Sequence, residues 1–553
     1  MKKILFITAV FSQFMFKSQT LTTFIKAIDT PSSLNFPYGI VGGGITFDNS
    51  DKTFIINGNS NTTNYSTPAI TKIDTNGNVI WMSKITTTLG TKVLVDGFIQ
   101  NNKYKAILKD NFNSFSNVNH LSSIYSVNTN STFNSVTQRY GGVLGINDGD
   151  AHLQSIKLLP NGNKIACGYI ACYTCSGNSK ANWFTKLDQN DSVVWSRHLA
   201  SPSGFSNFID CDYSPFNQYY FTGQTHVFNG FSNIVVIKTD TMGNKLWEYN
   251  FDNNFKPEYG SSCKAMPDGG VTVFGGYEGY WSGSQYVYEI IGMRLDSAGN
   301  TMWSKIYYGS GSKSISNHGI NILPNGNLLI TGNIDIYSGL LMIVNPTTGG
   351  LISSNNYWSG IVSGNGWTSF SKSVIRGNNI YTSGGTSTLN NGINSLFLMK
   401  TDLSTNFIGT SCSKVTTNLL DSNYNVSKFF FNNANNLQYI SKSPTITYSQ
   451  SALTNSLNTI CTGTASITSI NDFEGNSTEL IIFPNPTTNQ LYISSQAIIS
   501  KAEVLNNIGQ KILSKNNINA TKTSIDLNML PVGIYFVQLQ TNEGTVTKKI
   551  IKE

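Results

Sequence analysis

The sequence predicts an all-β protein, a ring of repeated four-stranded antiparallel sheets followed by a small β-sandwich, and three observations predict it. The first is composition: the 553 residues are 12% aromatic but only 12% charged, with Asn, Ser, Thr and Gly filling the gap. Turn-forming residues mixed with short aromatic and β-branched runs favour strands over helices, and the chain is too long for one ordinary core. The second is a phrase written four times, "IDTNGNVIWMSK", "LDQNDSVVWSRH", "KTDTMGNKLWEY" and "LDSAGNTMWSKI". Asp74, Asp188, Asp240 and Asp296 each precede a polar turn, and Trp81, Trp195, Trp247 and Trp303 stand seven residues further on. Asp caps such a turn through its side chain, a following Gly supplies positive φ, and Trp sits on the returning strand. The third is an alternating phrase, "LLPNGNKIACGY", "AMPDGGVTVFGGY", "ILPNGNLLITGN" and "VIRGNNIYTSGG", in which a strand, a tight turn and a second strand end in small residues. Together the two hairpins make one unit of roughly 50–57 residues, the size of a β-propeller blade.

Taken in order, the chain opens with "MKKILFITAVFSQFMFKSQT", where two lysines precede an apolar run and small polar residues. This reads as a secretory signal peptide over residues 1–19. The run is interrupted by Ser12 and Gln13 and is too short for a transmembrane helix, and no later segment is suited to span. "FIKAI" at Phe24 resembles the strand that follows Trp in other units and is expected to close the ring against the final blade. Eight first hairpins can be counted between Gly39 and Ser443, giving about eight blades over residues 20–463. Seven is the other count the repeats allow, because the second unit and the last, "KFFFNNANNLQYISKS", are degenerate. In an up-and-down blade the two hairpin turns emerge on one face. The loop between strands two and three and the loop to the next blade emerge on the other. The second face carries the long, varied segments, including "GYEGYWSGSQYVYE" and "YWSGIVSGNGWTSF". Binding usually lives in such loops. The candidate ligand contacts are therefore Tyr280, Trp281 and Trp367, beside Tyr277, Tyr286, Tyr288, Tyr357 and Trp358. The repeated Trp is expected to pack between blades.

Residues 464–478 lack periodicity and read as a linker. From residue 479 to residue 553 short strands alternate with turns rich in Pro, Asn and Gly, as in a small immunoglobulin-like sandwich. "FPNP" holds Phe483, Pro484, Asn485 and Pro486; "NIG" holds Asn507, Ile508 and Gly509; "LPVGIY" holds Leu530, Pro531, Gly533 and Tyr535; Lys548, Lys549 and Lys552 end the chain. This order and spacing resemble the type A C-terminal sorting domain of the type IX secretion system of Bacteroidetes bacteria. The family often has an acidic residue where Asn506 or Asn507 stands. The resemblance implies export through the periplasm, handling by the type IX machinery and release or attachment to a surface lipopolysaccharide. It implies nothing about the task of the preceding residues.

Several function classes are disfavoured. The formal net charge is +7, the arginines number four (Arg139, Arg197, Arg294 and Arg376), and no basic stripe suits nucleic acid. The histidines, His120, His152, His198, His226 and His318, form no HExxH pair, and no GxSxG elbow occurs. "NDGDAH" with Asp148, Asp150 and His152 lacks EF-hand spacing, and "CYTC" at Cys172 and Cys175 lacks the further ligands a zinc site needs. The Asp phrase is similar to the sialidase Asp-box and the quinoprotein propeller repeat. It departs from the first because Gly follows Asp by three residues, and from the second by its shorter spacing and the lack of a quinone or calcium ligand set. No cofactor, metal or catalytic residue is assigned. The sequence reading is an exported surface or secreted binding module for glycan or protein, serving adhesion or nutrient capture. The alternative is a polysaccharide hydrolase or lyase on the same scaffold, for which Glu278, Glu289 and Asp150 are the available acids.

Overall fold

The structure is a computed structural model that describes residues 19–29, 44–62, 65–87, 92–110, 122–130, 133–143, 149–172, 179–199, 206–226, 232–252, 257–282, 285–309, 315–334, 338–357, 368–387, 394–407, 415–417, 419–424, 427–430, 434–436, 439–442, 448–452, 456–467, 480–506, 510–542 and 544–553. Residues 1–18 of the expected signal segment, Trp358, Trp367, Asp148, Cys175 and Gly509 lie outside them, whereas Gln19 begins a strand. The described elements are antiparallel strands in seven five-stranded sheets and one tail sheet. Six blades follow the expected order, from Ile45 to Thr87, Lys92 to Val143, Gly149 to Leu199, Ser206 to Asp252, Glu258 to Tyr308 and Ile315 to Tyr357. Blade 7 is built from Thr368–Arg376, Asn379–Ser387, Asn394–Asp402 and the N-terminal strand Gln19–Asp29, which pairs with Asn394–Asp402. First strands of successive blades touch all the way round, and the first strand of blade 7 meets that of blade 1. The described residues before the tail form a seven-bladed propeller closed by the strand Gln19–Asp29.

The eighth repeat needs correction. Its described residues form no hairpin of their own. Ser427–Phe430, Ala434–Asn436 and Tyr439–Lys442 instead pair singly with the fourth strands of blades 4, 3 and 2. They belong to a strap that runs backward round the ring. Val415–Thr416 joins blade 6, Leu420–Asn423 blade 5, Tyr448–Ala452 blade 1, and Ser456–Ile467 blade 7 beside Gln19–Asp29. Thr464–Ile467, expected in the linker, are thereby strand, paired with Gln19–Thr22. The physical reason is edge satisfaction: a four-stranded blade leaves outward N–H and C=O groups unpaired, and a fifth strand pairs part of that edge. Leu419 and Tyr424 of the strap also enter the apolar clusters between blades 5 and 6 and between blades 4 and 5.

The Asp–Trp phrase is an inter-blade joint. The carboxylates of Asp74, Asp188, Asp240 and Asp296 each accept two backbone N–H bonds from residues two and four further on, at 2.8–2.9 Å. Gly77, Gly243 and Gly299 hold φ of 78°, 76° and 81°. Each indole then reaches the corresponding turn of the next blade. Trp81 Nε1 donates to Thr129 O at 3.0 Å, Trp195 to Thr241 O at 3.0 Å, Trp247 to Ser297 O at 3.1 Å and Trp303 to Pro346 O at 2.8 Å. A side chain at Gly243 or Gly349 would collide with Trp195 or Trp303, and one at Gly299 with Tyr249, close against Trp247. At the closure, Phe24 takes the place of Trp against Gly77, and Lys26 Nζ donates to Asn76 O at 2.6 Å.

Small residues in the alternating phrase have a separate cause. In blades 3 to 7 the first strand carries one extra residue, with register breaks at Leu153/Ser155, Phe208/Asp210, Gly260/Ser262, Asn317/Gly319 and Phe370/Lys372. The residue paired just before each break is a glycine: Gly168, Gly223, Gly275, Gly332 and Gly384. A bulge tips a carbonyl toward the facing strand. A Cβ at Gly168, Gly223, Gly275 or Gly384 would overlap the carbonyl oxygen of His152, Asn207, Tyr259 or Ser369.

The tail sheet has the order Leu480–Phe483, Gln490–Leu505, Gly533–Thr541, Gly544–Lys552, with Lys511–Asp526 also on Gln490–Leu505. Register breaks between Ser494 and Lys501 divide that long strand, and both halves bury residues in one core with Ile525, Val537 and Ile550.

Candidate functional site

Polar side chains are buried between the first strands, around the axis of the ring. Each first strand pairs on one side alone, so its inner-edge N–H groups need other acceptors. Carboxylates of the preceding blade supply them. Asp96 Oδ2 accepts from Ile156 N at 3.3 Å, Asp210 Oδ2 from Cys263 N at 3.1 Å and Asp212 Oδ2 from Ala265 N at 2.9 Å. Asn333 does the same for Phe370 N at 2.7 Å. Ammonium groups pair the same acids: Lys372 with Asp96 at 2.6 Å, Lys157 with Asp210 at 3.5 Å and Lys264 with Asp212 at 3.0 Å. Ser155 Oγ stands 3.2 Å from Asp96 Oδ2 and 2.7 Å from Asp210 Oδ1, so its single proton serves one at a time.

Three aspartates face three lysines, so the formal charges balance. Burial alone would raise the Asp96 carboxyl, but the Lys372 and Lys157 ammonium groups outweigh it and hold it below the ordinary carboxylate range. An acid so held is ionised at neutral pH and ill suited to donate a proton. The geometry is that of a polar lock between blades. Sequence reasoning passed over these residues, and the available signal was weak: polar residues just before or after the bulge, in "LQSIK", "IDCDY", "SSCKA" and "FSKSV".

The long-loop face corrects one expectation. "GYEGYWSGSQYVYE" is not an irregular loop but the tip of a hairpin, Val271–Ser282 paired with Gln285–Leu295. These strands have 12 and 11 residues, against 7 and 7 in the matching hairpin of blade 6, so the pair extends about 13–17 Å further at a strand's rise. Trp281 is the register partner of Tyr286, Glu278 of Tyr288, and Tyr280 of Val287. Tyr288 is exposed, whereas Val287 is buried. Tyr357, grouped by sequence with the face aromatics, is fully buried, and its hydroxyl donates to Thr405 O.

The remaining candidates do not converge. Arg294 pairs with Asp268, Arg197 lies over Trp195 and Arg376 over Phe47. His152 is buried and stacks on Tyr169 at 4.8 Å between centroids. Among the described residues no three His, Cys, Asp or Glu side chains are grouped to hold a metal ion. Cys167, Cys211 and Cys263 are buried free thiols, and burial raises Cys167 and Cys263 well above the usual thiol range. Cys461 is disulfide-bonded.

In the tail, Asn485 clamps the last strand. Its Nδ2 donates to Lys549 O at 3.0 Å, and its Oδ1 accepts from Ile551 N at 2.8 Å. Tyr535 is buried, and its hydroxyl donates to Pro531 O at 2.9 Å. Lys548 is half-buried and Lys549 exposed.

Fold and tail together define a class: a β-propeller passenger joined to a small all-β address domain. Residues 481–553 match the secretion system C-terminal sorting domain. The chain is therefore an exported protein, secreted or held at the outer-membrane surface, and its tail is handled by the type IX machinery. No helix among the described residues is long and apolar enough to cross a membrane. A comparison with curated protein sequences finds no match. Among solved structures, the polysaccharide lyase Uly1 is similar at 9% identity and TM-score 0.40, over 67% of this chain and 92% of that one. An α-L-arabinanase of Penicillium chrysogenum is similar at 12% identity and TM-score 0.34, over 70% and 99% of the two chains. NanB, in a structure with Optactamide, is similar at 11% identity and TM-score 0.30, over 68% and 70%.

Proposed function

We propose that the propeller is a non-catalytic binding module displayed outside the cell, taking a glycan or protein ligand at the projecting hairpin of blade 5. The single observation that carries this reading is the extended tip, where the register partners Trp281 and Tyr286 adjoin exposed Tyr288. An aromatic-rich hairpin suits a sugar face or an apolar protein surface, and such recognition needs no net charge. Tyr280, the register partner of Val287 on the same hairpin, belongs to the proposed contact set with Trp367, which the sequence assigns to it. Adhesion or nutrient capture is the corresponding role, with attachment to surface lipopolysaccharide as the route by which the sorted protein stays on the cell.

A glycan array with the purified protein, run beside a reducing-sugar release assay on the same polysaccharides, tests the reading. Binding without release, lost in the Trp281→Ala/Tyr288→Ala double variant at unchanged melting temperature, is the expected result. Release of sugar ends would replace it with the hydrolase or lyase alternative. Binding that survives the double variant would move the site elsewhere.

A further inference from the structure

The tail domain separates the residues that build it from those it displays. Within "NMLPVGIY", Leu530 and Tyr535 are 9% and 8% exposed. Leu530 N donates to Leu527 O at 2.9 Å, and the Tyr535 hydroxyl returns to Pro531 O. These contacts fix a tight turn, and its shape turns the intervening apolar residues outward. Met529 is 92% exposed, Val532 76% and Ile534 46%. Ile551, the register partner of Ile534 on the last strand, is 37% exposed and extends the patch. In the propeller, the most exposed large apolar side chain among the described residues is Met242 at 60%. Single exposed apolar residues are ordinary, but Met529 and Val532 stand in one turn that leads directly into Ile534 and its register partner Ile551, and an exposed apolar group of this kind marks a contact surface. Exposed Lys549, the register partner of Phe536, lies next to the patch on the same strand pair.

We propose that Met529, Val532, Ile534 and Ile551 are the surface by which the tail docks on a protein of the secretion machinery, in an apolar acceptor edged by carboxylates that match Lys549. The occupant follows from the tail itself. This domain matches a sorting domain, so the partner it must meet is the sorting apparatus, and Met529 and Val532, its two most exposed large apolar residues among those described, lie outside its core. Leu530 and Tyr535 then act by positioning the displayed residues. The proposal is independent of what the propeller binds.

The test uses the full chain in a host competent for type IX secretion. Met529→Gln/Val532→Thr removes the apolar groups at nearly constant size, and Met529→Asp/Val532→Asp adds charge. Ile481→Thr/Ile498→Thr alters other exposed apolar positions of the same domain as a control. Expected is at least a tenfold fall in extracellular protein for both patch variants. The retained protein should accumulate in the periplasm with a wild-type urea midpoint, and the control should be exported normally. Wild-type export of the patch variants, or an equal fall in the control, overturns the proposal. So does co-sedimentation of the purified wild-type chain, but not the patch variants, with phosphatidylglycerol vesicles, which would make the occupant a lipid surface.

Discussion

Removal of the Trp303 indole tests the joint between blades most directly. Trp303 is 8% exposed, lies in the apolar cluster between blades 5 and 6, covers Gly349 and donates to Pro346 O at 2.8 Å. Trp303→Ala deletes the packing and the hydrogen bond together, at a cost of about 3–5 kcal/mol. Trp303→Phe keeps most of the packing and loses the hydrogen bond, at a cost of about 1–2 kcal/mol. The molecule contains its own precedent, since Phe24 fills this position where blade 7 meets blade 1. Taking the ring as one cooperative unit of about 400 residues, the Ala variant should lower Tm by about 4–6 °C and the Phe variant by roughly a third of that. Thermal unfolding followed by near-ultraviolet circular dichroism reads both. A shift below about 1 °C for the Ala variant would refute the packing role. Equal losses for Ala and Phe would place the energy in the hydrogen bond.

Two further perturbations follow from the same geometry. Gly275→Ala should cost about 1–3 kcal/mol or more, because its Cβ meets backbone at the bulge, whereas Gly319→Ala, with nothing within 4 Å of an added Cβ, should stay within about 0.5 kcal/mol; urea unfolding of the pair decides it, and equal midpoints would deny the bulge its role. Asp96 has a folded pKa below its unfolded value, so its contribution is present at neutral pH and lost as pH falls through the folded value. Asp96→Asn should therefore lower the urea midpoint at pH 7 and flatten its fall on acidification below about pH 4, while an acid profile identical to wild type would show that the lock does not hold the ring.

The sequence by itself determined the blade and the address. Repetition made the blade legible: Asp at the turn, a residue at positive φ (Gly77, Asp191, Gly243 and Gly299) and Trp on the return recur because these four joints solve the same local problem. The expected pairing of "FIKAI" with the final blade was legible for the same reason, since Phe24 and Lys26 repeat the contacts of Trp and Lys elsewhere. Pro484, Asn485, Pro486, Gly533 and Tyr535 marked the tail because their turns are local. Tertiary structure alone decided the number of blades and the use of residues 415–467. A strap strand of two to five residues has no partner near it in sequence, and its pairing is set by whichever outer edge it reaches. The axial lock was hidden likewise, for Asp96 and Lys372 are 276 residues apart and meet because the ring closes. The projecting hairpin read as a loop because Gly and Ser interrupt its alternation, and cross-strand pairing overrides their weak strand preference.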